Sequence, residues 1–150
     1  MDVEGIRTLI REALAAMPAG AAEITEALVQ GQPHPRLPEH REVRIVPRVA
    51  GAADLVFHVY ELSGRVDIFV GGSPPIELTT PIDVNTGPPR PFLDVVREVV
   101  DDVIAGRLDL GTFPGSDYPL LGRWGDGRRD GNHGYPRKLR ITWSSPAPWS

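Results

Sequence analysis

The sequence predicts an α+β domain: an antiparallel sheet of about four to six strands with helices packed on one face. Three observations carry this prediction. Apolar residues fall at three- and four-residue steps near both ends of residues 1–105, while the middle of the chain alternates with a period of two. Two β-rich runs, 55–62 and 65–70, are separated only by Ser63-Gly64, which is hairpin spacing. Nowhere do strands alternate with helices as a parallel sheet requires.

Taken in order, Val3, Ile6, Leu9, Ile10, Leu14 and Met17 share one helical face, with Asp2 as N-cap and Pro18 as stop. A second, shorter helix is expected over Ala21–Gln30, where Ile24, Ala27 and Leu28 recur at helical steps and Gly31 closes the run. The prolines at 33, 35 and 38 make the next segment a connector. Glu42–Val46 alternates and then meets Pro47, which suits an edge strand or a bulge. Leu55–Leu62 and Arg65–Val70 form the central hairpin, and Ile76–Thr80 is a shorter strand after the turn at 71–75. Prolines at 88, 89 and 91 open a helix over about 91–105. Its stripe of Phe92, Val95, Val96, Val99, Val100, Val103 and Ile104 ends at Gly106, a C′ glycine.

Beyond Leu108 the pattern weakens. Residues 106–135 read as a long glycine-rich loop, with one short strand at Pro119–Trp124. Leu139, Ile141 and Trp143 alternate with basic and polar residues, as in a half-buried edge strand. A hairpin tip over 125–132 would join these two strands, and Ser144–Ser150 reads as a loose end. The expected organisation is a body of residues 1–120 and a Gly-, Arg- and Trp-rich segment, 121–150, packed on the same single domain.

Composition narrows the function classes. The chain has 150 residues, 16 Gly, 16 Pro and no cysteine, so disulfides, thiolate metal sites and thiol nucleophiles are excluded. Acids stand at Asp2 and Glu4 where a secretory signal carries bases, and a cytoplasmic location is expected. Charge is segregated: residues 1–120 carry net −8 and residues 121–150 net +4. There is no HExxH, Walker or GxGxxG motif and no GxSxG elbow, and no cofactor is expected. The Gly- and Asp-bearing loop at 125–132 fails the calcium-loop pattern, because Arg128 and Arg137 fall where oxygen ligands are required.

What remains are surfaces. Asp94, Glu98, Asp101 and Asp102 line the helix face opposite the valines. Trp124, Arg128, Arg129, Tyr135, Arg137, Arg140 and Trp143 interleave aromatic and basic groups, the usual anchors of protein interfaces. The expected function is a small, non-enzymatic protein-binding domain, of the inhibitor, immunity or chaperone-partner kind, using both surfaces. A small-molecule or catalytic cleft beside His58, with Tyr60 and Asp67, is the alternative. Weak nucleic-acid binding through the basic segment comes third, against a body whose negative field repels phosphate. Self-association is open to an edge strand around Val43–Val49 or Leu139–Trp143.

Overall fold

The computed structural model describes residues 3–34, 36–73, 75–79, 92–112, 115, 120–124 and 142–150. Asp2, Pro88, Pro89, Pro91 and the expected hairpin tip at 125–132 lie outside them. Five strands form one antiparallel meander, β1 (Ala22–Val29), β2 (His40–Pro47), β3 (Leu55–Tyr60), β4 (Arg65–Val70) and β5 (Ile76–Thr79), each paired with its successor. Two helices, α1 (Val3–Ala15) and α2 (Phe92–Ile104), pack together on one face. A second sheet has the order β7-β6-β8, built from β6 (Leu108–Thr112), β7 (Leu120–Trp124) and β8 (Thr142–Ser144). The chain is therefore an α+β protein, as its pattern predicts.

The core follows from the two periods. Phe57, Val59, Val66, Ile68 and Val70 point to the helix side and are fully buried there. Val43, Ile45 and Leu55 continue that layer, against Val3, Ile6, Leu9 and Ile10 of α1 and Val96, Val99, Val100 and Val103 of α2. Burying each such side chain stabilises the fold by roughly 1.5–3 kcal/mol. Five valines in α2 oppose helix formation only weakly, and this burial outweighs their propensity.

Residues 21–30 depart from expectation. They form a strand, not a helix, paired with β2 over its whole length from Ala22↔Pro47 to Val29↔His40. Ile24, Ala27 and Leu28 fit a helical stripe, but Ile24, Thr25 and Val29 are β-branched and β2 offers a complete ladder. Both faces of β1 are largely exposed, so no inside-outside alternation marks it in the sequence. In consequence β2 is an inner strand, and Val43–Val46 is not an edge. Pro47 is tolerated because the Arg48 amide donates to the Ala21 carbonyl, so the preceding residue faces away from β1. On that side β3 begins only opposite Ile45, and no strand needs the missing N–H.

Three further differences concern connections. The hairpin closes at Tyr60↔Arg65, so its loop is Glu61–Gly64 and not two residues. Leu108–Thr112, expected to be loop, is the central strand of the second sheet, with Leu108 in the core. β7 and β8 do not pair with each other; they flank β6 on its two sides.

Residues 145–149 are not a loose end either. Trp149 is 1% exposed and sits in the main core cluster. Its indole N–H donates to the Ala53 carbonyl (3.0 Å), and its amide donates to Ile104 (2.9 Å). The Ala147 amide donates to Gly51 (3.0 Å). This strap closes over the end of α2, where Gly106, at φ +69°, makes a C-cap: its amide donates to Val103 and the next, of Arg107, to Asp102.

Candidate functional site

The face of the main sheet opposite the helices carries the chemistry. Antiparallel register stacks its side chains in cross-strand rows. One row runs Glu42, His58, Asp67, Glu77; a second holds Arg44, Val56 and Phe69; beside the first lie Tyr60 and Arg65, with His40 at the start of β2. Four rings meet there. The centroids of His40 and His58 are 4.5 Å apart, those of His40 and Tyr60 5.0 Å, and those of His58 and Phe69 4.7 Å. Arg65 lies over the Tyr60 ring at 5.6 Å, within cation–π range. His40 is buried; His58, Tyr60 and Phe69 are half-buried.

The charges around these rings are largely engaged. Arg65 grips the buried Asp67 with two parallel hydrogen bonds, Nε to Oδ1 at 2.7 Å and Nη2 to Oδ2 at 2.9 Å, and reaches Glu77 at 3.1 Å. That fork holds the guanidinium pKa above its ordinary value. Glu42 accepts from Arg44 at 3.1 Å and lies 3.4 Å from His58 Nε2. Burial, and then the neighbouring His40, push the His58 imidazole below its usual pKa despite Glu42 and Asp67, so it is neutral at pH 7. Burial also raises the Tyr60 phenol. His40 Nδ1 lies 3.1 Å from the Pro38 carbonyl, which can only accept, so Nδ1 carries the hydrogen.

Of the residues singled out from the sequence, His58, Tyr60 and Asp67 are brought together. Asp94 and Asp101 are exposed and Glu98 half-buried on α2, where they border a cleft of about 360 Å³ with Arg97 and Arg107. Asp102 is not on a solvated face: it is 8% exposed and accepts from Arg107 Nε at 2.7 Å. Trp143 is half-buried on β8 opposite Gly111, and Trp124 ends β7 opposite Leu108. Arg128, Arg129, Tyr135, Arg137 and Arg140 lie outside the described residues.

His40, Glu42, Arg65 and Phe69 were missed. They are legible only once β2 is placed beside β3 and the hairpin loop is given four residues. A two-residue turn sets His58 opposite Phe69, two positions from its true partner Asp67. Clefts formed by described residues include the α2 cleft above, one of about 290 Å³ between the helices, and one of about 420 Å³ beside the strap. None of these three borders His58. Among the described residues no three His, Cys, Asp or Glu side chains gather as metal ligands, and no helix is long and apolar enough to cross a membrane. Comparison with protein-family models, curated proteins and solved structures found no match.

Proposed function

We propose that this protein is a non-enzymatic protein-binding module whose docking face is the ring-bearing face of the main sheet. One observation carries the reading: the half-buried rings of His58, Tyr60 and Phe69, joined through the buried His40, form a continuous plate on the face that the helices leave. Aromatic groups beside arginine, ringed by mixed charge, are the anatomy of interface hot spots. The partner this plate fits is a folded protein with an apolar or aromatic patch inside a polar rim. Proton-transfer chemistry has weaker support, since Arg65 holds Asp67 and Arg44 holds Glu42. Phosphate recognition is disfavoured by the carboxylate row of Glu42, Asp67 and Glu77.

The test is affinity capture from native lysate with three chains: wild type, Tyr60→Ala/Phe69→Ala, and Asp94→Asn/Asp101→Asn, with folding checked by circular dichroism. A protein held by the wild type should be recovered at least about tenfold less by the ring variant, the loss of a hot spot. The α2 variant should recover it undiminished. Equal recovery by the ring variant, with loss in the α2 variant, moves docking to the acidic helix and overturns the reading.

A further inference from the structure

The outer edge of β1 is an unusual feature for a folded chain. β1 has eight residues, ends the five-stranded sheet and presents six of them as exposed. Its pairing with β2 runs without a bulge, and it contains neither lysine nor proline; its only charges are Glu23 and Glu26. The opposite edge, β5, has four described residues. Because the Ala21 carbonyl accepts from Arg48 across the β1–β2 ladder, odd-numbered residues of β1 turn their backbone groups toward β2. Ala22, Ile24, Glu26 and Leu28 therefore turn their amides and carbonyls away from β2, where no strand among the described residues pairs with them. The side chains of Ile24 and Leu28 are 44% and 47% exposed.

We propose that this edge pairs with the same edge of a second copy of the chain, joining two sheets antiparallel about a two-fold axis at Thr25. The register of the two edges selects this occupant. In an antiparallel ladder, outward-facing residues must lie opposite outward-facing residues. Placing Thr25 opposite the partner's Thr25 sets Ala22 against the partner's Leu28 and Ile24 against the partner's Glu26, so every outward group from Ala22 to Leu28 is satisfied. Glu23 then lies opposite the partner's Ala27, and no carboxylate faces another across the seam. A register shifted by one pair to centre on Glu26 sets Glu26 against the partner's Glu26, a like-charge pair. Glu26 is moreover already held by Arg7 and Arg41 of its own chain, so the seam buries no bare charge. Thr–Thr is a favourable pair at the axis. The axis stands perpendicular to the sheet, so both sets of helices lie on one side and both ring-bearing faces on the other.

The chain holds no cysteine, which makes the test specific. Thr25 is a non-hydrogen-bonded position at this seam, where facing Cα atoms lie about 4.5 Å apart, within disulfide reach. Thr25→Cys should form a disulfide-linked dimer under mild oxidation. Leu62→Cys, at the exposed hairpin loop, should remain mostly unlinked. Sedimentation equilibrium of the wild type over a concentration series should approach twice 16.4 kDa, and Thr25→Lys should remain at 16.4 kDa with an unchanged circular dichroism spectrum. A wild type monomeric throughout overturns the proposal, as does a dimer unaffected by Thr25→Lys or a Thr25→Cys chain no more readily linked than Leu62→Cys. Should Thr25→Lys unfold, the cysteine comparison decides alone. Partner capture by the ring face is a separate measurement, and either result can fail without the other.

Discussion

His58 shows how one side chain links register to solution behaviour. Its neighbours on the face opposite the helices are His40, the Glu42 carboxylate, Asp67 directly opposite, and the Phe69 ring. Burial and His40 lower its pKa in the folded chain, and the two carboxylates only partly offset them. The unfolded chain therefore takes up a proton on this residue at about pH 6.5, while the folded chain still resists. The sign is fixed by that order: the contribution is fully present above pH 6.5 and is lost as pH falls toward the folded value. Urea unfolding at about pH 7.5 and about pH 5 should show the midpoint dropping on acidification. His58→Gln removes the titrating group and should flatten that drop, whatever it does to stability at the higher pH. Equal drops in both chains would show that His58 is not the group responsible.

At the scale of the element, legibility depended on what each element packs against. α1 and α2 could be read because their apolar stripes face a core and repeat at helical steps. β3 and β4 could be read because one face of each is wholly buried. β1 could not, since an edge strand exposed on both faces has no alternation, and Ile24, Ala27 and Leu28 imitate a helix. The ring plate depends on loop length and strand neighbours, which are set by tertiary contacts and not by local composition. The C-cap of α2 is a local signal that was legible, and it carries a prediction. Gly106 and Gly72 both have positive φ, +69° and +78°, but an added Cβ at Gly106 lies 2.9 Å from Pro146 O and from Pro148 N, while at Gly72 nothing lies within 4 Å. Gly72→Ala should cost only the backbone strain, about 1 kcal/mol. Gly106→Ala should cost measurably more in urea unfolding and shift tryptophan fluorescence to the red, because the strap must lift. Equal costs would mean that the strap yields freely.

For the whole molecule, the strap makes the last residues of the sequence part of the main core. Trp149 bonds Ala53 just before β3 and Ile104 at the end of α2, and its ring lies among buried residues of helix and sheet alike. Nothing local signals this. Pro146 and Pro148 give the segment no period, and its burial exists only after α2 and the 51–54 loop are in place. Truncating a buried tryptophan costs about 3–5 kcal/mol, a substantial share of the roughly 5–15 kcal/mol that holds a typical domain together. Trp149→Ala should therefore lower the thermal midpoint by on the order of 10 °C, in one cooperative transition if the strap belongs to the folding unit. Trp149→Phe keeps most of the apolar contact, loses the bond to Ala53, and should cost less, near 1–3 kcal/mol for the orphaned buried carbonyl. Calorimetry of the three chains distinguishes the possibilities. A Trp149→Ala chain that melts with the wild type would show the strap to be an accessory, whereas a graded loss makes it the closing piece that ties helix, sheet and loop into one core.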